Sequence, residues 1–276
     1  MRRLTILLAV ASLSACHQNS AEKVAAAPAA LSFEGATGDA AAVRAHGERL
    51  SHILGCRGCH GPALEGKLFN DDAPDMGKIY ASNLTRAIPT MSDAQLRHLL
   101  RDGVHPTRGD LWIMPSEVVQ RLSEPDLAAL IAHLRTVPPS GVPTPPPVLS
   151  AKAEAEVASG KLRPATSYVA EFRAKTPPDL GPRHALGRYL VSATCSECHG
   201  ADLTGVSDLE PGVSTPDLDI AGTYTDADLA RLLSTGKGRT ARDLGLMTLV
   251  GKGHFAYLTP HERSAIIAYV KARAAR

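Results

Sequence analysis

The sequence predicts an all-α protein made of two similar helical halves, and three observations lead to this prediction. The first is a motif, "GCRGCHG" at residues 55–61, that returns as "TCSECHG" at residues 194–200. The second is that stretches around the motif also return. The third is that apolar residues recur at helical spacing, while no long run alternates like a strand. The net charge of +2 and the lack of a Lys/Arg-rich run speak against a nucleic-acid partner.

The chain begins with a predicted lipoprotein signal peptide, residues 1–15. Arg2 and Arg3 precede an apolar run that is shorter than the roughly 20 residues a spanning helix needs. The letters "LSAC" that end at Cys16 resemble a bacterial lipobox, so we expect Cys16 to be lipidated on the periplasmic side of the inner or outer membrane. A signal peptide with a chance cysteine is the alternative. Residues 16–39 are small, polar and Ala-rich, which predicts a flexible tether.

The internal repeat covers most of the chain after the tether. A shift of 139 residues lays the first motif on the second, and a shift of 133 lays "SDAQLRHLLRDG" on "TDADLARLLSTG". The shift of 133 also carries Met114 onto Met247, and a shift of 136 relates the last helix of each half. Shifts that change along the chain indicate loop insertions between fixed elements. The predicted first half is residues 40–137, and the predicted second half is residues 183–276.

The helices of both halves carry recognisable start and stop signals. Ser92 opens a predicted capping box, and Gly103 is placed to end that helix. Thr225 and Gly236 play the same parts in the second half, and Thr259 caps the last helix. A helical half of roughly 95 residues can build only a small apolar core. A large apolar cofactor in each half would therefore supply the rest of the core.

Residues 138–182 are predicted to be a Pro-rich linker and strap between the halves. The stretch "PPSGVPTPPPV" contains six prolines, which predicts an extended spacer. The following "AKAEAEVASGKL" is compatible with a helix, and the rest reads as a strap over the surface.

Cys-x-x-Cys-His is the attachment signature of c-type haem, because two thiols and one imidazole on a single turn can face one porphyrin. Zinc ribbons separate their cysteine pairs by roughly 15–20 residues, whereas here the second pair starts 139 residues after the first. A thioredoxin-like site would need a βαβ context, and structural disulfides would not need His and Gly in both copies. The sequence therefore predicts two covalently bound haem c groups. Their predicted attachment residues are Cys56, Cys59, Cys195 and Cys198, with His60 and His199 as the first axial ligands of iron.

The second axial ligand decides what a haem does, and methionine suits electron transfer. Met114 and Met247 match each other in the repeat, whereas Met76 and Met91 have no counterpart. Core packing is the ordinary role of a methionine. The repeat register, with Pro115 fixing the backbone after Met114, favours iron ligation instead.

Other residues near the motifs remain alternatives. His98 and His105 in the first half, and His254 and His261 in the second, are rival ligands, although none has a histidine partner in the repeat. Trp112 packs at a haem edge, lines an electron exit or fills the core. The basic residues that either pair with haem propionates or remain surface charges are Arg57, Lys78, Arg108 and Arg239.

The chain resembles class I c-type cytochromes, and most of all the diheme cytochromes c of bacterial respiratory chains. The resemblance is carried by "CRGCHG", "SNLT", "SDAQLRHLLRDGV" and "MPSEVVQRLSEPDLAALIAHLR" and their second-half equivalents. It implies two tandem cytochrome c domains, each a few helices wrapped around a covalently bound haem. The N-terminal helix, through Gly47 or Gly187, would cross the C-terminal helix near His133 or Tyr269. The implied axial pairs are His60/Met114 and His199/Met247.

This resemblance implies a lipid-anchored electron carrier rather than an enzyme. Single electrons would come from a periplasmic or membrane-bound dehydrogenase, or a quinol-oxidising complex, and pass to an oxidase or cytochrome. The cytochrome subunits of membrane-bound alcohol and gluconate dehydrogenases look related but typically carry three haems. A diheme peroxidase-like enzyme with one open haem site is the alternative, and the matched methionines speak against it. Thiosulfate-oxidising diheme cytochromes need a cysteine ligand that this chain does not leave, and nothing positive supports a haem-based sensor.

Overall fold

The computed structural model describes residues 31–70, 74–210, 212–240 and 242–276. The predicted signal peptide, Cys16 and most of the predicted tether lie outside these described residues. The described chain is largely helical, as predicted, with a few short antiparallel strand pairs. Within it, every helix is too short or too polar to cross a bilayer.

The first half contains a long helix at each end and shorter helices between them. Its strand β1 pairs with β3, and β4 pairs with β5. The elements are α1 (Ala40–Ile53), α2 (Cys56–His60), β1 (Lys67–Leu68), β2 (Gly77–Lys78), β3 (Tyr80–Ala81), α3 (Leu84–Ala87), α4 (Asp93–Asp102), β4 (Val104–His105), β5 (Gly109–Asp110), α5 (Ser116–Val119) and α6 (Glu124–Leu134).

The linker and the second half continue this helical architecture. Strand β6 of the linker pairs with β2, and β7 pairs with β8. The elements are β6 (Val148–Leu149), α7 (Ala151–Ala158), α8 (Ala165–Ala174), α9 (Ala185–Thr194), α10 (Ser196–His199), β7 (Val206–Glu210), β8 (Val213–Thr215), α11 (Asp226–Thr235), α12 (Leu246–Gly253) and α13 (Pro260–Ala274). Short 3-10 turns lie at Pro74–Met76, Ile88–Thr90, Pro182–His184, Leu218–Thr223 and Phe255–Tyr257.

The end helices of each half cross at a glycine. A Cβ added to Gly47 of α1 would lie 1.9 Å from a backbone oxygen of α6, and one added to Gly187 of α9 would lie 2.2 Å from a backbone oxygen of α13. Any larger residue would push these helices apart. His133 and Tyr269 supply neighbouring side chains at the two crossings. The predicted crossings are therefore confirmed.

The helix ends follow the signals read from the sequence. Ser92, Thr225 and Thr259 each form a capping box with the residue three positions on. Gly103 and Gly236 end their helices in the left-handed conformation, with φ of 72° and 73°. These conformations are easily reached only by glycine, so the sequence signals located both helices correctly.

The linker is extended at first and then helical. Its Pro-rich part follows the first half, where the side chain of Asn83 donates to the carbonyl of Ser140 at 2.9 Å. Helix α7 is present as predicted. Helix α8 was missed, because the sequence analysis treated this stretch as an irregular strap. It begins after Pro164 and buries Val169 and Phe172.

One hydrophobic core joins the two halves, including the fully buried Leu50, Leu127, Leu190 and Tyr269. A polar cluster lies beside it, which we call the Asp126 cluster: Asp126, His46, Phe33, Ser123 and Tyr189. The carboxylate of Asp126 pairs with His46 Nε2 at 2.7 Å and accepts hydrogen bonds from the backbone N–H of Phe33 and the hydroxyl groups of Ser123 and Tyr189. Because Tyr189 belongs to α9 and Asp126 to α6, the cluster ties one half to the other.

A second polar contact between the halves lies close by. The guanidinium of Arg49 on α1 holds the buried carboxylate of Glu262 on α13, with distances of 2.8 Å and 3.0 Å. The same carboxylate accepts the backbone N–H of Glu34 at 2.8 Å. The segment that leads into α1 is thus fixed at the junction of the two halves.

Candidate haem-attachment sites

Each Cys-x-x-Cys-His motif forms a short helical turn directly after the first long helix of its half. Helix α2 begins at Cys56 and carries Cys59 one turn later, so both thiols lie on one face. In the second half Cys195 precedes α10 with helical backbone angles. Both turns end at the motif histidine and a glycine, Gly61 or Gly200, with φ of 82° and 83°. The two motifs therefore share the helical turn and its glycine end, whereas the residue before the first cysteine differs: Gly55 is left-handed with φ of 72°, and Thr194 still belongs to α9.

The two motif histidines make the same hydrogen bond. His60 Nδ1 lies 2.7 Å from the backbone carbonyl oxygen of Ser82, and His199 Nδ1 lies 2.8 Å from that of Pro216. A carbonyl oxygen only accepts, so each Nδ1 carries the proton and donates. Burial lowers the pKa of both imidazoles, which favours the neutral ring. The Nε2 lone pair is then available to a metal, as is usual for histidine ligands oriented by a carbonyl.

The loop after each motif is also repeated. Leu64 and Leu203 are buried at the same place in the two loops, and both have positive φ, 60° and 67°. The N–H groups of Gly66 and Gly205 donate to the carbonyl of the motif histidine, both at 2.8 Å. Positive φ is uncommon for leucine. Its recurrence shows that the two loops share one conformation, in which the leucine carbonyl accepts the N–H of Leu84 or Leu218.

The motif thiols suit covalent attachment better than redox exchange or zinc binding. In the described part of the chain Cys56, Cys59 and Cys195 carry free thiols. Burial raises the pKa of Cys56 to about 12 and that of Cys195 to about 11, and it also raises the pKa of Cys59. Redox-active dithiols need a lowered pKa. No three His, Cys, Asp or Glu side chains among the described residues form a cluster that could hold a metal ion, which excludes a four-cysteine zinc site there.

Met114 and Met247 are both half-buried and pack against the core to which Cys56 also belongs. Their local structures differ. Met114 lies in a loop after Ile113, which has φ of 64°, and before Pro115 at the start of α5. Met247 lies in the first turn of α12. Met114 and Met247 thus align in the sequence repeat, but a loop holds the first and a helix holds the second.

The rival histidines all have contacts away from the motif histidine of their own half. His98 and His261 face carboxylates, His105 binds its own turn, and His254 packs against the Cys-x-x-Cys-His turn of the other half. The contacts are His98 with Asp102 (2.7 Å), His105 with Thr107 (3.2 Å), His261 with Glu34 (2.9 Å), and His254 with Gly55, where an added Cβ would lie 2.8 Å from the ring. These contacts favour the methionines as ligands.

Trp112 and the basic candidates are placed as follows. Trp112 is 43% exposed, so the interpretation that it fills the core is wrong. Arg57 Nε donates to Ser51 at 3.2 Å, and Arg239 lies over the ring of Tyr224 at 5.7 Å. Lys78 and Arg108 are exposed.

The structure brings the two motifs close together, which the sequence analysis did not foresee. Helix α5, which follows Met114, packs against α10 of the second motif. His254, which follows Met247, lies against the first motif at Gly55 and Gly58. Burial mainly raises the pKa of Cys56 and Cys59, and the negative charge of Glu197 in the second motif adds to the rise. Each half therefore covers part of the other half's Cys-x-x-Cys-His motif.

Comparison with known proteins supports this assignment for the second half directly. The cytochrome c family model matches residues 184–274, so the chain contains a cytochrome c domain. The chain is also 28% identical over 257 residues to the fructose dehydrogenase cytochrome subunit of Gluconobacter japonicus, an alignment that covers 82% of this chain and 51% of that protein. The chain spans about half the length of this curated relative. Both matches indicate covalent haem c and a role in electron transfer.

Proposed function

We propose that this chain is a diheme c-type cytochrome that carries single electrons between a dehydrogenase, or a quinol-oxidising complex, and a downstream respiratory acceptor. The family match supports a haem-binding domain in the predicted second half, and the recurrence of its contacts in the predicted first half supports another. The observation that carries the proposal is the shared histidine bond. His60 and His199 each present a neutral imidazole whose Nδ1 donates to a carbonyl 22 or 17 residues further on.

The proposed haem ligands come from both halves. Cys56 and Cys59 would hold one porphyrin, and Cys195 and Cys198 the other. Haem c supplies the one-electron chemistry of iron when bound. The chain's own part is to orient the imidazoles through their Nδ1 bonds and to exclude water with the joint hydrophobic core. The proposed axial pairs are His60/Met114 and His199/Met247.

A dehydrogenase partner on the periplasmic side of the membrane is part of the proposal. The similarity to a dehydrogenase cytochrome subunit supports it, although that protein is about twice as long. Lipidation at Cys16 would hold the protein at the membrane without a spanning helix. In cells fed a labelled fatty acid, the wild-type protein should take up label and Cys16→Ser should not. Equal labelling of both would remove the anchor from the proposal.

The first experiment is an optical spectrum of the oxidised protein together with a haem count. Two haems per chain, each with the iron–methionine charge-transfer band and neither binding carbon monoxide when reduced, would support the electron carrier. One high-spin haem that binds carbon monoxide would favour the peroxidase-like alternative.

Methionine variants assign the ligands. Met114→Leu and Met247→Leu should each remove about half of the charge-transfer band, because each deletes one proposed sulfur ligand. Met76→Leu and Met91→Leu are matched controls and should leave the band intact. If Met247→Leu left the whole band in place, the second axial pair would be wrong.

A further inference from the structure

Glu117 is a buried carboxyl group at the contact between the two proposed haem sites. Its side chain is only 9% exposed, and its Oε2 has no hydrogen-bond partner among the described residues. A buried carboxylate oxygen without a partner is costly, so each such group in a folded protein calls for a reason. The axial pairs and the attachment cysteines do not supply one.

The position of Glu117 relates it to both halves. It follows Met114 by three residues, a stretch that could span at most about 11 Å even if extended. The stretch is coiled instead, since the N–H of Ser116 donates to the carbonyl of Met114 at 2.8 Å. On the same short helix, Val118 packs with Ala201, just after the second motif. Glu117 therefore lies close to the proposed ligand of one haem and to the attachment turn of the other.

The charged surroundings of Glu117 leave it without a nearby compensating cation of its own. Helix α10 brings Glu197, and α8 brings Glu171, whose partner is Arg163 at 3.0 Å. Burial raises the pKa of Glu117 to about 7, and the negative charges of Glu197 and Glu171 add to the rise while Arg163 opposes it. The other charged groups on the helices packed against α5 are engaged elsewhere: Arg101 with Glu124, Arg173 with Asp102, Asp102 with His98, Arg97 with Glu124, Asp93 with Arg135, Arg188 with Asp179, and Tyr189 with Asp126; His199 binds Pro216, and Tyr168 lies under Arg163.

From this geometry we infer that Glu117 takes up a proton when the neighbouring haem is reduced and releases it on oxidation. The inference rests on the proposed function. In the balanced step, a haem held by the neighbouring motif would gain one electron from the donor protein, and the Glu117 carboxylate would gain one proton from the buffered solvent. On oxidation the acceptor takes the electron and the proton returns to solvent. Electron transfer through this chain would thus be linked to proton binding.

The physical reason for the link is electrostatic. An added electron makes the surroundings of Glu117 more negative, which disfavours its carboxylate. Charges about 10 Å apart still interact appreciably in a protein interior, where screening by water is weak. Because Glu117 titrates near neutral pH, its proton occupancy can respond to that change. The sign follows: rising pH should favour the oxidised protein.

The test is a spectroelectrochemical titration of the holoprotein from about pH 5.5 to about pH 8.5, a range that brackets the carboxyl group's titration. The midpoint potential of wild type should fall with rising pH, and a pH-indicator dye should record proton uptake on reduction of up to one proton per chain. Glu117→Gln should lose both effects while keeping the same haem count. Glu154→Gln, an exposed change of the same charge on α7, should keep both.

Three results would overturn the inference. They are a wild-type potential that does not change with pH, a pH dependence that survives in Glu117→Gln, and a dependence that disappears only in Glu197→Gln. The second result would assign the proton to another group, such as a haem propionate. A haem count below two contradicts the proposed function instead, and the pH comparison is still read on the haem that remains.

Discussion

At the scale of single residues, Asp126 shows how a buried charge is accommodated. It lies in the first turn of α6, where the helix dipole favours an anion, and all its hydrogen-bond partners are donors or a histidine. His46, which no sequence motif includes, belongs to this cluster. The pairing could not be read from the sequence, because His46 and Asp126 are 80 residues apart and meet only when α1 crosses α6.

Replacing Asp126 should therefore be costly. Asp126→Ala leaves buried donors unpaired at the junction of the halves, and we expect a loss of about 3–5 kcal/mol in the free energy of unfolding. Glu124→Ala is the matched control, since Glu124 lies in the same helical turn but makes only surface ion pairs with Arg97 and Arg101. It should cost less than about 1 kcal/mol. Denaturant titrations measure both, and equal losses would contradict the role of the Asp126 cluster.

Glu117 should also make stability depend on pH. In the unfolded chain it ionises near its ordinary value of about 4.3, whereas in the folded protein its pKa is raised to about 7 by burial. Between these values the folded state holds the proton and the unfolded state does not, so stability falls as pH rises, by as much as about 4 kcal/mol. Glu117→Gln should flatten this part of the curve of unfolding free energy against pH. An unchanged curve would mean that the carboxyl group titrates normally.

At the scale of elements, the crossing of two end helices is the unit that recurs in both halves. In each crossing a glycine lets the helix backbones approach to a distance that no side chain would permit. In each half the motif turn follows directly on the helix that carries this glycine, so the crossing lies just before the motif in the chain. The glycines are therefore structural positions that serve the proposed haem sites.

Substitution of these glycines tests the crossing directly. Gly47→Ala and Gly187→Ala would each force a methyl group into a backbone carbonyl, and each should destabilise the protein by about 3 kcal/mol or more. Gly253→Ala in α12 is the control, because an added Cβ there has no neighbour within 4 Å. It should stabilise the helix by up to about 1 kcal/mol. Thermal unfolding of the three variants measures the difference. A lower unfolding temperature at the two crossings and a higher one for Gly253→Ala would show that crowding, and not helix propensity, causes the loss.

The elements that could be predicted are those with local signals. Capping boxes at Ser92, Thr225 and Thr259 and the left-handed Gly103 are properties of a few adjacent residues, so they were legible in the sequence. Helix α8 has no side-chain cap and follows Pro164. It buries Val169 and Phe172, and Phe172 clusters with Val118 of the first half and Ala201 of the second. Such tertiary support leaves little trace in the local sequence.

At the scale of the whole molecule, the two halves share one core and several polar contacts, including Arg49 with Glu262. The motif chemistry could be read from the spacing of cysteines and histidine. The closeness of the two motifs could not, because it depends on how the halves pack. For the same reason nothing in the local sequence marks Glu117 as a buried residue.

A shared core predicts joint unfolding. The holoprotein should unfold in a single cooperative transition, with helix content and haem absorbance changing together. Arg49→Met leaves the buried carboxylate of Glu262 without its main partner. It should lower the midpoints of the helix-content and haem-absorbance transitions, or separate the two transitions. Two well-separated transitions in wild type would mean that the halves are independent.

The clamped segment before α1 has a mechanical consequence. The backbone N–H groups of Phe33 and Glu34 are held by one carboxylate from each half. If Cys16 is the point of attachment, the 16 residues between it and Phe33 give a tether of at most about 60 Å. A force applied through that tether would then act on both halves at their junction, and not on one half alone. The two halves would therefore move together at the membrane and stay in contact while the protein reaches its partners.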